Sequence, residues 1–222
     1  MLKLKPRLQM AADMVREGSR IADIGTDHAY LPAALILGGR IPSAVAADLR
    51  KGPLENAEAT VRTYGIADRV QLRLSDGLKL VLPEEADDIV IAGMGGILIA
   101  EILEAAPWVK DKKKRLILQP QSHSEDVRRY LFRNGFEIIE EQACFEDSKV
   151  YICMCAEYTG INSEYTEAEI LLGKIIGRTD EASEAFIEKK LKRVHVRLDA
   201  LKRTQPNSEE IKLLEAILDE VK

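Results

Sequence analysis

Between residue 20 and about residue 159 the chain alternates short β-rich runs with helical patterns, and this alternation constrains the fold more than any other feature. Strands are expected at 20–25, 43–49, 70–75, 88–93, 115–119, 136–145 and 150–159. Helices are expected between the first five, near 30–38, 53–64, 96–106 and 124–134. Strand, helix, strand in regular succession gives parallel βα units and a doubly wound sheet. The runs are short and continuously apolar, as strands buried on both faces must be.

The last two runs break this rhythm. Only residues 146–149 separate them, and a connection that short permits nothing but an antiparallel hairpin. A mostly parallel, seven-stranded sheet finished by such a hairpin resembles the Rossmann-like fold of class I S-adenosylmethionine (SAM) methyltransferases, an analogy at the level of fold alone.

After Gly160 the pattern becomes helical. Ile187, Leu191, Val194, Leu198 and Leu201 recur in steps of 4, 3, 4 and 3, a heptad seam on a helix over 181–203. Thr204-Gln205-Pro206-Asn207 breaks it. Ser208 is placed to cap a second helix carrying Ile211, Leu214, Leu218 and Val221. The pair reads as an antiparallel helical hairpin, with a shorter helix near 166–176 linking it to the rest. The expected division is a catalytic, SAM-binding domain over 1–160 and a C-terminal helical domain over 161–222.

The composition allows this. The chain has 222 residues, enough for one ordinary domain and an appendage, and 46% of them are hydrophobic. A net charge of −5 excludes a binder that grips nucleic acid through overall charge alone. Cys144, Cys153 and Cys155 are odd in number and form no C-x-x-C pair, so neither a disulfide framework nor a zinc site is expected, and Cys153 and Cys155 read as core. Residues 1–7 are charged, with no apolar stretch of a leader. The longest apolar run, 89–100, falls short of the roughly 20 residues a membrane span needs. A cytoplasmic protein without a membrane partner is expected.

Ligands of open α/β sheets bind beyond the carboxyl ends of the strands. The first strand ends Asp23-Ile24-Gly25-Thr26-Asp27-His28. A dinucleotide fingerprint needs further glycines there. Asp27 stands where the second would be, and its carboxylate repels a pyrophosphate but suits a cation such as the sulfonium or ammonium of SAM. Asp48 ends the second strand, 23 positions after Gly25, where an acid accepts both hydroxyls of a ribose. Asp76 ends the third and is placed to accept from an adenine amine. The expected cofactor set is Asp23, Gly25, Asp27, Asp48, Leu49, Asp76, Gly77, Gly93 and Met94.

The fourth strand ends in Gly93-Met94-Gly95-Gly96, open to two readings: a tight turn that needs positive φ, or a bare wall against which a flat base approaches the methyl group. Gln119 and Gln121 end the fifth strand with paired donors and acceptors suited to a base edge.

Three segments together, 23–32 (DIGTDHAYLP), 93–96 (GMGG) and 118–121 (LQPQ), resemble the bacterial tRNA (adenine-22, N1)-methyltransferase family, TrmK. The resemblance extends over the whole chain, helical hairpin included. It implies SAM as methyl donor and N1 of a tRNA adenine as acceptor, with Asp48 and Asp76 on the cofactor and Asp27 near the reaction centre.

On this reading Asp27 stabilises the positive charge that develops on the adenine. His28 either contacts the base or caps the following helix. Gly95, Gly96, Gln119 and Gln121 face the substrate. A basic run on the first helix of the hairpin, Lys189, Lys190, Lys192, Arg193, Arg197, Lys202 and Arg203, is the expected RNA arm, with Lys189, Lys190 and Arg193 as its contacts. Lys3, Lys5 and Arg7, Lys112–Arg115, and Arg128, Arg129 and Arg133 form smaller groups. Such runs are also ordinary solvated faces. The hairpin equally suits packing on the body or on a second copy, which leaves a monomer and a weak dimer both open. Asp27, His28 and His123 have no metal-ligand spacing, and no metal is expected. The rival readings are a small-molecule SAM methyltransferase and a non-catalytic RNA- or protein-binding module.

Overall fold

A computed structural model of the chain describes residues 2–221. Met1, the first residue of the charged N-terminal segment, and Lys222 lie outside them. Among the described residues seven strands form one sheet: β1 (Ile21–Ile24), β2 (Ala44–Asp48), β3 (Val70–Leu74), β4 (Asp88–Gly95), β5 (Arg115–Ser122), β6 (Phe136–Glu146) and β7 (Lys149–Tyr158). Their order is β3-β2-β1-β4-β5-β7-β6. The pairs from β3 to β5 are parallel, while β7 runs antiparallel to both neighbours.

The central strands are largely apolar because helices cover both faces, with Asp23, Asp48 and Asp88 as their buried acids. On one face α1 (Pro6–Asp13), α2 (Tyr30–Leu37) and α3 (Lys51–Thr63) pack on Ile21, Ala46, Val90 and Ile117. On the other, α4 (Gly96–Glu104) and α5 (Ser124–Arg133) pack on Ala22, Ile24, Ile89, Ile91 and Leu118. The alternation of Ile89 and Ile91 against Val90 is the period-two exchange of faces along a strand. Cys153 and Cys155 are buried and unbonded in the first of these cores, and Met154 between them points into the second.

Three local features differ from expectation. α1 has no counterpart in the sequence reading; Pro6 at its first position needs no hydrogen-bond partner there and presets φ. The β6–β7 connection is tighter than residues 146–149 suggested, since Glu146 pairs with Lys149 and only Asp147 and Ser148 turn, Asp147 at φ 54°. β4 and β5 continue to Gly95 and Ser122, so the glycine and glutamine segments extend the strands rather than follow them.

Beyond β7, α6 (Glu167–Leu172) leads through a short 3₁₀ turn to α7 (Glu181–Thr204) and α8 (Glu209–Glu220). Asp180 caps α7 by accepting from the Ser183 N–H at 3.0 Å, and Ser208 caps α8 by accepting from Glu210 N–H at 3.3 Å. The heptad seam divides between two neighbours. Ile187, at the base of the seam, packs against the sheet core beside Phe186, Leu172 and Ile175. Val194, Leu198 and Leu201 pack instead on Ile211, Leu214 and Ile217 of α8, with Ala168 of α6, in a separate small core. The hairpin is therefore anchored on the body at its base and self-packed further out.

Candidate active site

Strand order reverses between β2-β1 and β4-β5, which opens a crevice at the carboxyl ends of β1 and β4. A cavity of about 770 Å³ occupies it. Gly25 ends β1 at φ 80° and donates its N–H to Ala47 O at 2.8 Å. A side chain at Gly25 would strike Met94, so the turn needs glycine for both space and φ. The Thr26 hydroxyl then accepts the Ala29 N–H at 3.1 Å and folds the loop back into α2.

Three carboxylates meet this cavity. Asp23 is buried, and desolvation pushes its carboxyl up to about 6, with a hydrogen bond to Thr26 opposing and the charge of Asp48 adding. Asp48 is nearly buried, and its Oδ1 accepts the Arg50 N–H at 2.8 Å, which fixes the carboxylate at the strand end. Asp27 is largely exposed, with Oδ2 3.4 Å from His28 Nε2. The His28 ring stacks on Tyr30, centroids 4.9 Å apart and planes 6° from parallel. Ala29, not His28, occupies the cap position of α2, and no side chain caps the helix there, so the capping reading of His28 does not hold.

The donor set tests which cofactor fits. Three acids in place of a glycine-rich phosphate cradle disfavour a pyrophosphate. A buried carboxyl at raised pKa gains from a cationic partner, which an ammonium or a sulfonium supplies. The residues present fit SAM.

Another side of the cavity is built by β4, β5 and α1. Gly93 sits at φ 85°, and a Cβ there would lie 3.1 Å from Arg7 Nη1 and 3.7 Å from Gln121 Nε2. Arg7 and Gln121 thus close on its face, and its positive φ fits the turn reading. Gly96 is different: a Cβ would collide with the backbone carbonyl of His123, and its glycine serves the packing of β4 against the loop after β5.

Other expected residues stand elsewhere. Gln119 is fully buried. Its Oε1 accepts Gly93 N–H at 3.1 Å and Arg7 Nη1 at 3.2 Å, and its Nε2 donates to Pro120 O at 3.3 Å. It holds the glycine turn and has no edge free for a base, which corrects its expected role. Asp23, Gly25, Asp27, His28, Asp48, Gly93 and Gln121 share the cavity; Leu49, Asp76, Gly77, Met94, Gly95 and Gly96 are not among its lining residues. Asp76 is ion-paired to Lys79 at 2.5 Å, and Leu49 is exposed beside Asp48.

The basic run on α7 also divides. Lys190 is buried and paired with Glu125 at 2.6 Å, which corrects its expected role as an RNA contact. Arg197 and Lys202 bind Glu210 and Glu215 of α8, each at 2.7 Å, and hold the hairpin closed. Arg128 is likewise buried, paired with Glu141. Lys189 and Arg193 remain exposed.

Arg7 is one of the cavity residues the sequence reading missed, with Thr26, Tyr30 and Arg50. It was visible there only as one of several N-terminal cations. Its placement depends on α1 packing beside β6 and β7, where its backbone N–H donates to Glu146 at 3.1 Å and its guanidinium lies 5.6 Å from the Tyr151 ring centre.

A family model described as a methyltransferase domain matches residues 4–154. The chain is 37% identical over 190 residues, 85% of its length and 80% of the relative's, to the tRNA (adenine(22)-N(1))-methyltransferase of Bacillus subtilis strain 168. The crystal structure of the B. subtilis m1A22 tRNA methyltransferase TrmK is similar with TM-score 0.85 and 32% identity, covering 100% of this chain and 97% of that one. A Streptococcus pneumoniae structure in complex with S-adenosyl-L-methionine is similar with TM-score 0.84 and 30% identity, covering 97% of this chain and 100% of that one.

Proposed function

The chain belongs to the tRNA (adenine(22)-N(1))-methyltransferase family, and from that premise we propose how its own residues carry the reaction. The protein is a SAM-dependent enzyme that methylates N1 of adenine 22 in tRNA. The observation that carries the reading is the trio Asp23, Asp27 and Asp48 around one cavity at the strand-order switch.

When bound there, SAM supplies an electrophilic methyl group. Asp48 accepts the ribose hydroxyls through the oxygen that Arg50 leaves free. Asp23 offers its buried charge to the cationic end of the cofactor. The outlying acid Asp76 is assigned to the adenine amine, with Leu49 and Met94 as apolar neighbours.

Adenine N1 carries a free lone pair, so no residue needs to remove a proton to make the nucleophile. The work of the protein is positioning, with reacting atoms roughly 3–3.5 Å apart. The stacked His28–Tyr30 pair offers a flat surface at the cavity for the base. Gly93 lets Arg7 and Gln121 close on the cavity wall, and Gln121 stands exposed there to meet the base edge. Asp27 faces the positive charge that appears on the adenine as the methyl group arrives. N1 lies on the Watson–Crick edge and must be exposed to react, which suggests a displaced or flipped base, at a cost of a few kcal/mol drawn from contacts elsewhere on the tRNA.

We assign residues 1–160 to catalysis and 161–222 to the helical arm; the separate core of α7 and α8 supports the division. No helix among the described residues is long and apolar enough to cross a membrane. We place the enzyme in the cytoplasm, with its substrate.

The test uses labelled SAM and unmodified tRNA transcripts that carry either adenine or guanine at position 22. Label confined to the adenine set and recovered as 1-methyladenosine is expected. Label in neither set, with SAM binding intact, would remove tRNA from the assignment and favour a small-molecule acceptor.

A further inference from the structure

Gln119 stands behind the wall of the catalytic cavity without reaching it. It is fully buried and is not among the lining residues. Its amide nevertheless bonds to three segments that do form the wall. Oε1 accepts the N–H of Gly93 on β4 at 3.1 Å and Nη1 of Arg7 on α1 at 3.2 Å. Nε2 donates at 3.3 Å to Pro120 O, the carbonyl of the peptide that leads into Gln121. Gly93, Arg7 and Gln121 all face the cavity.

The backbone explains the first of these bonds. Ala92 pairs with Gln119 and Met94 with Pro120, so Gly93 is the extra residue of a bulge between β4 and β5. A bulged residue leaves the ladder, and its N–H needs another acceptor. The Gln119 side chain is that acceptor. The second bond is as particular. Among the described residues the Arg7 guanidinium makes no other hydrogen bond: its Nε is buried without one, 3.6 Å from Glu146 Oε1. One oxygen atom thus fixes both the bulge and the cation that closes over it.

Methyl transfer is sensitive to such a wall, because reacting atoms must lie roughly 3–3.5 Å apart and in line. We propose that Gln119 is a positioning residue for the methyl transfer. Through one buried amide it sets the relative places of Gly93, Arg7 and Gln121, and so the place where the acceptor base meets the methyl group. It touches neither substrate. The inference rests on the methyltransferase reading above and deepens it, since it separates the residues that bind from the residue that holds them in register.

The test is single-turnover labelling of tRNA by the full-length enzyme, with SAM and tRNA dissociation constants measured separately. Gln119→Met keeps the length of the side chain and removes its oxygen and its amide hydrogens. It should slow methyl transfer by roughly 10- to 100-fold and change either dissociation constant by less than about threefold. Gln119→Glu keeps an oxygen for Gly93 and Arg7 and gives up the bond to Pro120 O; it should restore the rate to within about threefold of wild type. Arg7→Met should also be slow, and its effect combined with Gln119→Met should fall short of the product of the two. A merely structural loss would instead reduce the fraction of enzyme that binds SAM and leave the rate of that fraction unchanged. Should Gln119→Met fail to fold, Arg7→Met and Arg7→Lys put the same question from the other partner: the first should be slow, and the second, which returns a donor to Gln119, should recover. Equal losses in Gln119→Met and Gln119→Glu, weakened affinity at an unchanged rate, full multiplication of the Arg7 and Gln119 effects, or no recovery in Arg7→Lys would each overturn the proposal. Failure of the wild type to label adenine-22 tRNA at all would strike the function itself, and the same assay shows it before any variant is made.

Discussion

Arg128 of α5 and Glu141 of β6 form an ion pair at 2.9 Å in which neither side chain is exposed to solvent. Glu141 Oε2 also accepts the Lys174 N–H at 2.6 Å, and Arg128 Nη1 donates to Ile170 O and Leu171 O, each at 3.0 Å. The pair thus ties the end of α6 to the sheet and sets where the helical arm begins. Two buried charges are costly to desolvate; their mutual attraction and the bonds donated by Arg128 Nε and Nη1 offset this, while Nη2 stays buried without a hydrogen-bond partner. A side chain at Gly173 would collide with Glu141, so the chain passes this point only as glycine, at φ 59°.

Arg128→Met should destabilise the protein by roughly 3–5 kcal/mol, because it strands a buried carboxylate and two carbonyls. Urea unfolding measures the loss. A double variant, Arg128→Met with Glu141→Leu, should lose less than the sum of the single changes. Strict additivity would show that the two charges do not depend on one another.

Asp23 should make the stability of the unliganded enzyme fall as pH rises from about 4 to about 6. Its folded carboxyl, at about 6 against an ordinary 3.8, holds a proton that the unfolded chain has already released in that window. The penalty is complete above pH 6 and amounts to roughly 3 kcal/mol. Asp23→Asn removes it. The variant should be the more stable form at pH 7–8, converge with wild type below pH 4, and gain no thermal stabilisation from added SAM. An Asn variant that SAM still stabilises as it does wild type would contradict the cofactor role of Asp23.

Asp27→Ala should lower the rate of methyl transfer by roughly 10²-fold while tRNA and SAM affinities change little, since the carboxylate acts on charge that appears only in the transition state. Single-turnover assays separate the effects. A variant with full turnover would remove Asp27 from catalysis. Its exposed side chain makes misfolding an improbable cause of the loss.

Gly96→Ala should destabilise by about 1–3 kcal/mol or more, because the new methyl group meets the His123 carbonyl, backbone that cannot rotate away. Gly95→Ala meets only Ser122 Oγ at 3.5 Å and should be nearly neutral for stability. Thermal melting distinguishes the two adjacent glycines.

The strand and helix succession was legible because local patterns determine it. Runs such as Ile89–Ile91 bury both faces of a strand and signal this by unbroken apolarity. The Asp180 and Ser208 caps and the seam through Val194 and Leu198 were equally local. Acids that end strands β1 and β2 were legible as a site because parallel strands deliver their carboxyl ends to one edge.

The chain alone could not say which polar side chains were already spent. Gln119 and Gln121 stand two positions apart, yet one is buried on Gly93 and Arg7 and the other faces the cavity. Lys189 and Lys190 are adjacent, yet only Lys190 finds Glu125, 65 positions away. Arg7 reaches the acceptor wall only because α1 docks against β6 and β7. The sequence by itself determined the parallel sheet, its closing hairpin, the helical arm and the acids at the ends of β1 and β2 that line the cavity, because periodicity and strand ends are properties of neighbouring residues. The tertiary structure decided which charges remain free for a substrate and which hold the fold together, because partners distant in sequence compete for each polar group and only their positions in space settle which one it meets.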